Sequence, residues 1–321
     1  MIRWLTGQLP LWAQSDHPML RQELGNTERL RWQTRYTRAL LVVLLGGLLL
    51  LIGVFVAAVS GRFEGQNIVD QINAVLYYPL LIAQIPLRVI AFTWTSGTVA
   101  DYVRRGKWDQ IRTTPKGAEL VLRVRWISLF YRWRGLFSVI TVLRLLLIAL
   151  ILFDLTSFQG RYLDLLTVRI TPEIPAAVTI LFLSFLMTAS LLLPFTGTGF
   201  DASLGLVVSA VTRGRTATTM IQAVYTVVRI GLIVLLLVLA NTFLSGQMPD
   251  IGFGGWVILF ALGALGDWGL AFLHLARYGE IWAIAPYGIF LGAALLIYAL
   301  IQAGLADAIV GYAIRLAQKR G

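Results

Sequence analysis

Three arginines interrupt otherwise apolar stretches of this sequence: Arg88, Arg144 and Arg229. A charged side chain inside a membrane span is costly, which makes each a functional candidate. Arg144 and Arg229 stand about two helical turns in from one end of their apolar runs. They can contact an anionic headgroup or substrate, snorkel to the interface, or pair with a carboxylate on another span. Arg88 lies near the inner end of its run and can snorkel. Groups for covalent chemistry are scarce. There is no cysteine, and the two histidines, His17 and His274, fall on opposite sides of the expected topology. Neither HExxH nor GxxxxGK[ST] occurs, and no paired carboxylates stand inside the apolar runs. The serines have no histidine partner on their own side. No catalytic residue, metal site or bound cofactor is expected on this chain, and the segment GTGFDASLG reads as packing or hinge glycines.

The elements that must position these arginines are membrane helices. The chain has 321 residues, of which 58% are hydrophobic and only 13% charged. Several apolar runs reach the roughly 20 residues that cross a bilayer. The short alternating segments of an outer-membrane barrel are absent. The expected class is therefore all-α, a polytopic integral membrane protein. Formal net charge is +11. The basic residues flank the apolar runs, as positive-inside topology requires, so nucleic acid is not an expected partner.

Taken in order, residues 1–38 form an amphipathic N-terminal segment. Met1–Gln14 has too short and broken an apolar core for a cleavable signal peptide. HPMLRQELGNTERLRWQTRYTR then predicts an interfacial helix, or a plain anchor before the first span. In it Pro18 and Glu23 precede Arg29, Arg31 and Arg35, which face anionic lipid, with Trp32 and Tyr36 at headgroup level. The transmembrane domain covers residues 39–305. Its six expected spans are 39–59, 74–95, 136–156, 174–196, 220–244 and 284–305. Residues 60–73, 157–173 and 245–252 are expected outside. Residues 253–278 are broken by Gly263, Gly266, Asp267 and Gly269 into halves too short to cross, which predicts a re-entrant hairpin turning near Gly266-Asp267, with a seventh span as the alternative. Lys/Arg parity favours the hairpin, because it leaves the basic 306–321 tail inside as a short interfacial helix.

The long basic loop, about residues 98–134, holds Arg104, Arg105, Lys107, Arg112, Lys116, Arg123, Arg125, Arg132 and Arg134. Such a loop stays cytoplasmic. Residues 98–112 predict a helix continuing the second span. Thr113-Thr114-Pro115 breaks it, because a residue before proline is pushed out of the helical region. Residues 116–126 predict a second helix with Pro115 in its first turn and Thr113 or Thr114 as cap.

Three stretches, in this order, give the chain a family likeness: HPMLRQEL, GKWDQIRTTPKGAELVLRVRW and GLVVSAVTRGRTAT. The chain resembles the permease subunits of bacterial ABC-2-type ABC transporters. The middle stretch matches the family pattern at Asp109, Ile111, Thr113, Thr114, Pro115, Gly117, Glu119, Leu120 and Val121. It departs at Gln110-Ile111-Arg112, where Leu-Leu is usual before Thr-Thr-Pro, and Arg123 or Arg125 stands where a lysine is usual. The resemblance implies a coupling helix around residues 101–119, with Asp109, Arg112, Thr113, Thr114, Pro115 and Glu119 meeting a separate ABC ATPase. It implies ATP and magnesium on that partner, and a second permease, identical or related. Membrane lipids surround the chain in the bacterial cytoplasmic (inner) membrane, and both termini are cytoplasmic. The expected cargo is a lipid, a polysaccharide or another hydrophobic compound. Two other readings compete: a non-transporting structural or assembly subunit, and a membrane enzyme acting on lipid.

Overall fold

The computed structural model describes residues 10–14, 17–24, 68–156, 176–212, 214–244, 253–266 and 286–319, with isolated helical positions at 47, 51, 54 and 55. Among the described residues the regular structure is all helical, with no strand. A 3-10 turn (Leu11–Ala13) and α1 (Pro18–Leu24) come first. They are followed by α2 (Ile68–Ser96), α3 (Thr98–Arg104), α4 (Trp108–Thr113), α5 (Gly117–Arg132) and α6 (Arg134–Thr156). The remaining helices are α7 (Ala176–Val211), α8 (Arg215–Leu244), α9 (Phe253–Gly266) and α10 (Pro286–Lys319).

Three stretches are long and apolar enough to cross a membrane: Ser184–Val211, Arg215–Ala240 and Leu291–Lys319. The pair α5 and α6, bent by 54°, qualifies together as a fourth. Helix α9 has 14 residues. At 1.5 Å per residue it is about 21 Å long, short of the roughly 30 Å hydrocarbon core. It covers the residues of the first half of the expected hairpin. The turn at Asp267 and the second half lie outside the described residues. So do the expected first span, apart from the isolated helical positions, the loops at 157–173 and 245–252, and the first part of the loop expected at 60–73; its last residues, 68–73, are instead the first turns of α2.

Two expected boundaries are absent. The fourth span was expected to end at Thr196, but α7 runs on to Val211. The physical reason is a seam of small residues that lets α2 approach α7 closely. At Gly205 a Cβ would collide with Thr95 Oγ1 and the Phe92 carbonyl. The Thr95 hydroxyl donates to the Ala202 carbonyl at 2.8 Å, and the Val99 N–H donates to Ser209 Oγ at 2.6 Å. Glycine costs a helix backbone entropy, and the interhelical contacts it permits offset that cost. The second boundary was the separate tail at 306–321. Helix α10 instead continues to Lys319. Ala306, Val310, Ala313, Ile314 and Ala317 are buried at helical spacing. The last four pack on Ala118, Leu122, Leu206 and Ala210.

The bundle is built around α7, which packs most extensively on α10 and then on α2. One apolar core joins α2, α6, α7, α9 and α10 through Leu80, Leu147, Leu186, Leu262 and Leu295. A second lies at the basic end and includes Trp108, Leu122, Leu206 and Ile314. Helix α8 stands apart, with Val224, Val227 and Val228 exposed at 62%, 71% and 60%. An apolar helix left this bare suits lipid on that face.

Candidate functional site

The basic loop folds as three short helices rather than an extension of α2. The chain breaks at Gly97, and Gly106 turns it with φ +65° before α4 begins. Trp108, 8% exposed, plugs α4 into the second core. Thr114 is extended (ψ 129°), as its place before Pro115 demands. Lys116 then takes a left-handed conformation at φ 58° and α5 starts at Gly117. A Cβ at Gly117 would collide with the Ile111 carbonyl, so glycine sets how tightly α4 and α5 close.

The expected threonine cap on the second helix is corrected. Thr113 Oγ1 donates to the Gln110 and Asp109 carbonyls, and Thr114 Oγ1 to the Gln110 carbonyl at 2.8 Å. Both hydroxyls serve the open carbonyls that end α4, and α5 carries no side-chain cap. The second helix also extends to Arg132, past the expected end at residue 126.

This geometry leaves Asp109, Thr113, Thr114, Pro115 and Lys116 exposed at a tip. Arg112 is helical, with its side chain outside the described set. Glu119 is not part of the free tip. It pairs with Arg123 at 3.1 Å, and Arg123 reaches Asp307 on α10 at 3.5 Å.

Behind the tip, residues of the N-terminal segment clamp the loop. Glu23 at the end of α1 holds Arg125 at 2.7 Å and accepts a 2.7 Å hydrogen bond from the Tyr102 hydroxyl. Arg132 donates to the Glu23 carbonyl at 3.0 Å. The Arg125 and Arg132 guanidiniums lie over the Trp94 ring at 4.6 and 4.3 Å, and Arg125 also donates to the Trp94 carbonyl. Tyr131 donates to the Ala13 carbonyl, and Leu20 is fully buried. Burial, with the Glu23 carboxylate second, pushes the Tyr102 phenol well above its ordinary range. Of the expected surface-helix residues, Pro18 opens α1 and Glu23 is the clamp; Arg29, Arg31 and Arg35 lie outside the described residues.

The buried arginines do not snorkel. Arg144 is 1% exposed and donates to the Ser190 carbonyl. The sequence explains why. The helical partner of that carbonyl would be the N–H of residue 194, which is Pro194 and has none. Arg144 therefore satisfies an acceptor orphaned by the proline. Arg88 (3% exposed) and Arg229 converge on Asp201 at 3.9 and 3.8 Å. Both also donate to the Leu265 carbonyl, at 3.2 and 2.9 Å, in the last turn of α9. Arg88 further reaches the Leu193 carbonyl at 3.4 Å. A Cβ at Gly197 would occupy the space of the Arg88 guanidinium. Arg229 sits about four turns into α8, deeper than the expected two, because α8 begins at Arg215.

Sequence reasoning missed Asp201 and read its neighbourhood as packing glycines. The available signal was an acid at 201 inside an apolar helix that also needs Gly197 and Gly205. Tyr225 and Tyr298 stand in the field of the same three charges. Gln302 joins Tyr298 to Thr196. Five helices thus supply one polar layer. No family model, curated protein or solved structure matches the chain.

Proposed function

We propose that this chain is the membrane-spanning permease subunit of an ABC-2-type transporter, moving a lipid, polysaccharide or other hydrophobic compound with ATP hydrolysed by a separate ATPase. The reading carries six spans, with α9 as half of a re-entrant hairpin. It sets both termini in the cytoplasm of a bacterial inner membrane. A second permease, identical or related, completes the path. One observation supports it most: an exposed polar tip, Asp109 with Thr113, Thr114, Pro115 and Lys116, mounted through Trp108 on a core that contains the ends of α7 and α10. Force applied at such a tip is delivered to membrane helices without local chemistry. The ATPase dimer drives the cycle if its closed form binds one permease conformation better than the other.

The test is co-purification. The tagged full chain, extracted from its native membrane, is expected to retain an ABC ATPase identified by mass spectrometry. Asp109→Arg is expected to lose it while the permease stays inserted and monodisperse. Asp109 is the sharper probe than Glu119, which is already paired with Arg123. Failure to capture an ATPase, or capture unchanged by Asp109→Arg, overturns the coupling role and favours a structural or assembly subunit.

A further inference from the structure

Among the described residues, the buried layer holds two guanidiniums against one carboxylate. Both ion pairs are long, at 3.9 and 3.8 Å, where a closed charge-assisted contact is about 2.7–2.9 Å. Among the described residues, Arg88 Nε and Arg229 Nε have no hydrogen-bond partner, and the Tyr225 hydroxyl stands against the Asp201 carboxylate. One turn before Arg88 on α2, Gln84 is 2% exposed, and neither atom of its amide is bonded among the described residues. The Leu265 carbonyl brings the negative end of the α9 dipole, equivalent to about half a charge. Two guanidiniums against one carboxylate leave a formal surplus of one positive charge, which the dipole end offsets only in part, with donors to spare, in apolar surroundings. Uncompensated charge of this kind is expensive to bury. An oxyanion lying between the guanidiniums would remove the surplus and take up the unused Nε–H donors.

We infer that Gln84, Arg88, Asp201 and Arg229 form a binding site for a singly charged oxyanion carried on an apolar body, a phosphodiester or carboxylate amphiphile. Asp201 makes it selective. It cancels one arginine, so a monoanion balances the layer and a dianion overcharges it. The Leu265 carbonyl fixes both guanidiniums and ties occupancy to the position of α9. The inference deepens the transport reading by naming the chemistry of what the bundle holds. It needs no ATPase, so it stands or falls separately from the coupling test.

The experiment uses the full chain in detergent, with retained ligand counted by native mass spectrometry. Four probes are compared: phosphatidylglycerol, oleate, inorganic phosphate and phosphatidylcholine. The wild type is expected to retain one phosphatidylglycerol or oleate in preference to phosphatidylcholine. Arg229→Gln is expected to weaken that retention on the order of tenfold. Arg229 is only partly buried, so this variant spares the fold better than one at Arg88. Asp201→Asn doubles the uncompensated charge and is expected to raise anionic retention, an outcome that a purely structural ion cluster does not give. Inorganic phosphate matching the amphiphiles would assign the site to a free anion and overturn the amphiphile. Equal retention in wild type and Arg229→Gln, or no gain in Asp201→Asn, overturns the site. Asp267 follows Leu265 by two positions in the sequence. If only Asp267→Asn creates anionic retention, the chain neutralises its own surplus and the proposal fails.

Discussion

The same ingredients, arginine and a carboxylate, make two different structures in this protein. At the clamp, Glu23 and Arg125 meet at 2.7 Å with side chains 18% and 16% exposed, and the carboxylate also accepts from Tyr102. In the buried layer, Asp201 is 3% exposed and stands nearly 4 Å from both of its arginines. The wetter site is closed and hydrogen-bonded; the drier one is loose and surplus in positive charge. Stability alone would favour the reverse, since low dielectric penalises unmatched charge most. The clamp therefore reads as construction and the layer as a place kept open for binding.

The largest expected effect breaks the clamp. Glu23→Gln removes the charge facing Arg125 and weakens the bond from Tyr102. For a pair this well buried the expected loss is about 2–3 kcal/mol. It should appear as a lower unfolding midpoint in detergent and as faster proteolysis ahead of α1. Tyr102→Phe should cost about 1 kcal/mol, and less in a Glu23→Gln background, because the two share one contact. Full additivity would separate Tyr102 from the clamp.

A middle-sized effect sharpens the other side of the comparison, by asking which arginine in the bundle is structural. Arg144→Met leaves the Ser190 carbonyl without its donor, at an expected cost of about 2 kcal/mol. Pro194→Ala restores a backbone N–H to that carbonyl. The double variant should recover much of the loss, with a coupling of about 1–2 kcal/mol in a double-mutant cycle of equilibrium unfolding in mixed micelles. Arg229 should show no coupling to Pro194. If Arg144 and Pro194 behave independently, the proline does not account for the buried arginine.

The all-α membrane class was legible because length and apolarity decide it. A helix over 253–266 was legible from its apolar run, and it passes through Gly263 without a break; the expected turn at Asp267 lies outside the described residues. In the basic loop the break before Pro115 was legible, but the earlier break at Gly106, which splits the expected 98–112 helix in two, was not. What the sequence concealed was pairing across helices. Asp201 lies more than a hundred positions from Arg88, and no local pattern joins them. Glu23 and Arg125 are likewise joined only by the fold. The tail beyond residue 305 was misjudged for a related reason. Its alanine stripe is apolar too weakly to announce burial, and it packs because α5 and α7 present Ala118, Leu122, Leu206 and Ala210 to it.

The smallest expected effect concerns the tip and what holds its shape. Lys116 is the only non-glycine residue with positive φ among the described residues. Left-handed backbone costs an ordinary residue roughly 1 kcal/mol. Glycine would remove that strain but add freedom to the unfolded chain, so Lys116→Gly should change stability by less than about 0.5 kcal/mol. Valine, branched at Cβ, should cost about 1 kcal/mol more than lysine at the same place. The strain is local, so the sensitive measurement is hydrogen exchange in the first turn of α5. There the Gly117 amide bonds the Thr114 carbonyl at 2.9 Å. Protection should follow glycine and lysine above valine, while exchange at the Glu23 clamp and across α7 stays unchanged. If valine is as well protected as lysine, Lys116 does not set the turn, and rigidity at the tip comes from Trp108 and Gly117 alone. If valine also loosens α7, tip and bundle form one cooperative unit.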